Sequence, residues 1–108
     1  MRAVVRAVAG RLMASPVGAF LPVPVPRSDG TIERSAVDLM HFTVQTGFRT
    51  AVPTVYQPYD LQHVHLPAFF TPYARHLRDV LYGELCAAAR SVVVMSSWVK
   101  EDVVRQLR

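Results

Sequence analysis

Residues 56–67, YQPYDLQHVHLP, crowd Asp60, Gln62, His63 and His65 together just after the apolar run at 52–56. Imidazole exchanges protons near neutral pH, a carboxylate can serve beside it in acid–base work, and both ligate zinc. Zinc fits the spacing poorly. On an extended segment His63 and His65 point to opposite sides, and a closed site needs a fourth, distant ligand. Two other roles stand. Asp60 and Gln62 can bond neighbouring backbone groups and shape a turn, with the histidines as half-buried polar fillers, or the group can line a ligand-binding rim to which Tyr59 adds a phenolic hydroxyl. A second polar pair, Ser96 and Ser97, precedes Trp98. It lacks the flanking glycines of a nucleophile elbow, and a helix cap is the first expectation for Ser97. Trp98 reads as a packing residue. No glycine-rich phosphate loop is present.

These residues are positioned by a pattern that becomes regular after residue 37. Residues 38–42 (DLMHF), 53–57 (PTVYQ) and 91–95 (SVVVM) read as strands. The stretch 43–51 is long enough for a short crossover. The third strand is apolar without alternation, as in a parallel strand covered on both faces. A helix follows Thr71, which can cap it, and Pro72, which suits the first helical position. Its expected apolar face is Tyr73, Leu77, Val80, Leu81, Leu85 and Ala88. A last helix carries Val99, Val103 and Leu107 at four-residue intervals. Glu101 and Asp102 near its start, with Arg105 and Arg108 near its end, match the helix dipole. The order strand, crossover, strand, helix, strand, helix predicts an α/β layer with a short parallel sheet. In such sheets ligands gather beyond the carboxyl ends of the strands, which puts His41 and Thr43, the 59–63 cluster, and Ser96 and Ser97 on one rim.

The segment 1–37 differs in kind. Val4, Val5, Val8, Leu12 and Met13 recur at helical spacing opposite Arg2, Arg6 and Arg11, predicting an amphipathic helix that packs on a core or lies at a membrane surface. Pro16, Pro22, Pro24 and Pro26 then bar a central strand and leave an extended connector that ends in a turn at Ser28 to Gly30.

At 108 residues, 51% hydrophobic and 19% charged, the chain is expected to form one modest globular domain. The net charge of +4 is almost wholly arginine and is spread along the chain rather than gathered into a basic run, which argues against nucleic acid. Cys86 is the single cysteine, so there is no internal disulfide, in keeping with a reducing cytoplasm. Arginines interrupt the N-terminal apolar stretch, so a cleavable signal is not expected.

From Asp38 onward the sequence resembles the N-terminal, acceptor-side domain of family 4 glycosyltransferases, enzymes of the GT-B fold. The matching blocks are DLMHF at 38–42, VPTVYQPYDLQHVHLPAFF at 52–70 and AARSVVVMSSWVKEDVV at 88–104. The family commonly has an Asp-x-x-His-Phe strand end, a His-Asp-Leu-Gln-His loop followed by Pro-Glu-Phe-Phe, and a later strand entering Ser-x-aromatic. Here Tyr59 stands where the family has the histidine of His-Asp, and Ala68 replaces the glutamate. A tyrosine hydroxyl can hydrogen-bond but cannot take up a proton near neutral pH.

The resemblance implies a partial Rossmann-like, three-layer unit over 38–108. The parent enzyme would move a hexose from a nucleotide-sugar to a hydroxyl acceptor such as a sugar or a lipid-linked sugar, with retention and without a metal or other cofactor. Substrate would be bound by Tyr59, Asp60, Gln62, His63, Ser96 and Ser97. The nucleotide-sugar would be held mainly by a second domain. This chain alone would be inactive, and the parent would be cytoplasmic or associated with the cytoplasmic membrane face. The rival expectations are a small α/β ligand-binding or regulatory module without catalysis, and a metal-dependent hydrolase.

Overall fold

The computed structural model describes residues 2–107, the side chains of 2–5 and 7 excepted. Three short strands, β1 (Met40–Phe42), β2 (Thr54–Tyr56) and β3 (Ser91–Val92), form one sheet in the order β1-β2-β3 with both pairings parallel. The register sets Met40 against Thr54, Phe42 against Tyr56, and Tyr56 against Val92. Bonds from Gln57 N to Phe42 O (3.1 Å) and from Val93 N to Tyr56 O (2.9 Å) carry the alignment past the strand ends. All three strands therefore open their carboxyl ends at one edge, as the sequence pattern predicts.

Two long helices support the sheet. In α4 (Pro72–Ala88) the Thr71 hydroxyl accepts from Ala74 N at 3.1 Å, and Pro72 occupies the first turn, so both halves of the expected start are present. The core unites Phe42 and Tyr56 of the sheet, Leu61 of the loop that follows β2, Tyr82 and Leu85 of α4, and Val99 and Val103 of α5 (Ser97–Gln106). Leu85 lies on the expected face of α4, but Ala88 is exposed and Tyr82 is buried, so the inward stripe is rotated toward Tyr82. Leu107 packs only at the margin, and Arg108 lies outside the described residues.

The sheet differs from the sequence expectation in its cover. Side chains alternate across a strand. Thr54, Tyr56 and Phe42 are buried on one face, whereas His41 on the other is exposed. Beyond β3, Val94 packs on the core while Val93 and Met95 are 40% and 69% exposed. The SVVVM run is thus covered on one face only, and its apolar character on the other face is left at the surface. The molecule measures 45 × 36 × 18 Å. Its radius of gyration of 15.9 Å exceeds the ~13 Å expected of a compact chain of this length.

The connection between β1 and β2 contains no helix. Gly47 is buried there, and a Cβ added to it would lie 3.0 Å from the Phe42 ring and 3.3 Å from Leu85 Cδ1, so the backbone runs flat on the core where a helix would not fit. Arg49 then bridges Arg27 in parallel fashion, with Ser28 N to Arg49 O and Arg49 N to Pro26 O both at 2.8 Å. The proline-rich segment, expected to be extended from Pro16 onward, begins instead as a 3-10 turn at Pro16–Phe20, and only its later part, at Pro26 to Ser28, is tied beside the crossover. Gly30, with φ of 89°, turns the chain into the short α2 (Thr31–Arg34). Glu33 from α2 accepts from Ser28 Oγ (2.6 Å), Thr50 Oγ1 (2.5 Å) and Ala51 N (3.2 Å), bonds that hold its carboxyl down at about 2.

The N-terminal helix α1 spans Arg2–Ala14 and is followed by a 3-10 turn at Pro16–Phe20; both pack against α4. Val4 and Val5 of its expected apolar face lie outside the described side chains. Val8 (61%), Leu12 (42%) and Met13 (38%) are exposed, so these three do not form a buried stripe. Among the described residues no helix is long and apolar enough to cross a membrane.

Candidate functional site

The chain reverses sharply after β2, and this reversal decides where each residue of the 59–65 cluster goes. Tyr59 adopts φ of 64°, a left-handed conformation that costs a non-glycine residue about 1 kcal/mol or more. Two side chains hold it there. The Tyr59 hydroxyl donates to Thr43 O at 2.6 Å, and Gln45 Nε2 donates to Pro58 O at 2.9 Å with a longer contact to Asp60 Oδ1 at 3.4 Å. Gln45 is fixed from behind by the buried Tyr56, whose hydroxyl donates to Gln45 O at 3.0 Å. Loss of water around Tyr56 pushes its phenol far above its ordinary value, so it stays a donor.

The result is a shallow pocket of about 480 Å³ at the carboxyl edge of β1 and β2, lined by Val44, Gln45, Tyr59, Asp60 and Gln62. Asp60 also accepts from Gln62 N, at 3.4 Å. Both contacts to its carboxylate are long, which leaves most of its accepting capacity for a bound hydroxyl. The pocket contains one carboxylate, two amides and one phenol, and no imidazole.

His63 goes elsewhere. It sits in α3 (Gln62–His65), only 2% exposed, with Nε2 2.9 Å from Asp79 Oδ1 of α4 and its ring edge-on to Tyr82 and Phe70. Burial pushes its pKa down, against the opposing pull of Asp79. His65 turns the other way. Its Nε2 is 2.7 Å from Asp102 Oδ2, and its ring centroid lies 5.4 Å from that of Trp98, which is itself 57% exposed. The two histidines are therefore clamps to two different helices. Asp60, His63 and His65 do not converge, and no group of three His, Cys, Asp or Glu side chains able to hold a metal exists among the described residues.

Ser96, not Ser97, caps α5, accepting from Val99 N at 3.2 Å, because the helix begins one residue earlier than the cap at Ser97 requires. Ser97 is exposed in the first turn. The β3 end meets the β2 end through Gln57 Nε2 and Met95 Sδ at 3.4 Å. His41 is the middle residue of β1 rather than part of the loop beyond it. Tyr59, Asp60 and Gln62 are brought together; His63 is not with them, and neither Ser96 nor Ser97 lines their pocket.

Sequence reading missed Gln45 and the carboxylates Asp79 and Asp102. Asp102 had a visible signal. It falls between Val99 and Val103 at i+3 on the inward stripe, where a carboxylate requires a partner. It is 1% exposed, and its Oδ1 has no hydrogen-bond partner. Cys86 is a half-buried thiol, pushed up to about 11 by loss of water, and is unsuited to nucleophilic work. No family model matches this chain, and comparison with curated proteins and with solved structures also finds no match.

Proposed function

We propose that this chain is the acceptor-side part of a sugar-transferring enzyme of the family 4 type, and that the Gln45–Tyr59–Asp60–Gln62 pocket binds a hydroxyl-rich acceptor. The observation that carries this reading is the meeting of the β1 and β2 loops in one pocket at the carboxyl edge of a parallel sheet, where open α/β sheets take their ligands. Asp60 and the Gln62 amide accept from sugar hydroxyls, and Gln45 fixes the distance between the loops. The uncovered sheet face, with Val93 and Met95 at the surface, is apolar enough for a further layer to pack on it, as in a Rossmann-like unit. Hexose transfer would draw its rate from orientation and from stabilising the leaving phosphate of a nucleotide-sugar, using groups this chain does not supply.

A second reading, a small α/β ligand-binding module without catalysis, is favoured by one feature. The Tyr59 hydroxyl is committed to Thr43 O, and no imidazole reaches the pocket. Calorimetry with methyl hexosides and nucleotide-sugars, alongside a turnover assay, tests both. The transferase reading predicts weak hexoside binding that Asp60→Ala abolishes, and no turnover by the purified chain. Sub-millimolar binding by the chain alone would favour the module. Absence of any hexoside binding would remove the acceptor reading.

A further inference from the structure

A cleft larger than the rim pocket lies elsewhere in the molecule. It opens between the 3-10 turn at Pro16–Phe20, α3 and the start of α4, and has a volume of about 640 Å³. That lies within the ~300–1,000 Å³ typical of small-molecule sites. Ala19, Val64, Pro67 and Pro72 give it an apolar wall; Arg75, His76 and Asp79 from α4 give it a polar one.

The arginine charge on that polar wall has no matching carboxylate among the described residues. Arg78, on the same helix, lies 4.8 Å over the Phe70 ring and donates to Ala74 O at 3.4 Å. Arg75 has no such employment. Asp79 stands four residues on, the spacing at which an arginine and an aspartate normally pair. Its Oδ1 is instead taken by His63 at 2.9 Å, and Arg75 forms no ion pair among the described residues. Arg75 Nε is shielded from solvent with no hydrogen-bond partner. A guanidinium so placed has lost part of its hydration and gained no acceptor, a cost that a bound oxyanion would offset. Asp79 keeps 57% of its side chain exposed, enough to accept from a hydroxyl beside that oxyanion.

We propose that this cleft binds a small hydroxylated compound carrying a phosphate monoester, a sugar phosphate in kind. Arg75 and His76 take the oxyanion, Asp79 accepts from a neighbouring hydroxyl, and the apolar wall covers one ring face. His63 is a positioning residue, since it diverts Asp79 from Arg75 and leaves both charges available. The site is separate from the rim pocket and does not depend on it.

The test is a titration of the full chain, followed by amide chemical shifts, with glucose 6-phosphate, inorganic phosphate and glucose as probes. Glucose 6-phosphate is expected to give saturable shifts at residues 75–79, phosphate weaker ones and glucose none. Arg75→Met should weaken glucose 6-phosphate binding by at least about tenfold, the loss expected for a charge-assisted pair. Its melting temperature should hold, because the Arg75 side chain has no ion-pair partner to lose among the described residues; Arg75→Gln repeats the test if the methionine variant folds poorly. Asp60→Asn, in the rim pocket, should leave this binding unchanged. Absence of saturation at residues 75–79, equal shifts there with glucose, or full affinity in both Arg75 variants would overturn the assignment.

Discussion

Tyr56→Phe isolates the link between fold and pocket. Tyr56 is fully buried in the central strand, and its hydroxyl makes one hydrogen bond, to Gln45 O at 3.0 Å. Phenylalanine keeps the ring and its packing, so no cavity opens and the change reduces to that bond. A neutral hydrogen bond of this kind contributes about 0.5–1.5 kcal/mol, and a carbonyl left unpaired in the interior adds to the loss, so about 1–2 kcal/mol is expected. For a domain of this size each 1 kcal/mol moves the melting temperature by about 4–8 °C. Thermal and urea denaturation followed by circular dichroism would read the change directly. The denaturant slope should stay constant, because the exposed surface does not change. A second consequence is local. Gln45, released from behind, would hold Pro58 and Asp60 less firmly, and ligand binding at the rim should weaken more than at the Arg75 cleft. A melting temperature within about 1 °C of the parent, with rim binding intact, would refute the reasoning that Tyr56 fixes the pocket.

Three further outcomes follow from particular contacts. A Cβ at Gly83, in the middle of α4, would meet nothing within 4 Å, so Gly83→Ala should stabilise the chain by about 1 kcal/mol in urea melts. His65→Ala removes the one hydrogen bond that the described residues make to the Asp102 carboxylate and should cost about 1–3 kcal/mol; adding Asp102→Leu should recover part of that loss, since the uncompensated charge goes with it. The pKa of His63 is lowered from 6.5 by burial, so below that value the unfolded chain binds a proton the folded chain resists. Stability should therefore fall as pH drops below 6.5 and level off beneath the lowered folded value, and His63→Gln should flatten that limb of the melting-temperature profile.

Much of the scaffold was legible because it rests on local chemistry. Thr71 and Pro72 announce α4 by capping and ring geometry alone, and the three apolar runs pair in parallel and in chain order as their spacing implies. What was not legible depends on long-range partners. His63 and His65 are two residues apart, yet each is claimed by a carboxylate from a different helix, and neither Asp79 nor Asp102 is marked by position relative to the loop. Gln45 lies in a stretch whose length suited a crossover but whose Gly47 lies against Phe42 and Leu85, a packing demand absent from the local pattern. The one-sided cover of β3 has the same origin, because an apolar run states what can be buried and not whether a layer arrives to bury it. Tyr59 shows the reverse case. A tyrosine in a loop beyond a strand raises a question of chemistry, and the structure answers with geometry, since its hydroxyl pins a left-handed turn to Thr43 O.

The most direct test of the rim pocket is an amide and side-chain shift map of the chain titrated with a methyl hexoside. Shifts confined to Gln45, Tyr59, Asp60 and Gln62, and lost in Asp60→Ala, are the predicted result. Shifts spread elsewhere, or a map unchanged by that substitution, would contradict the account of where this molecule meets its ligand.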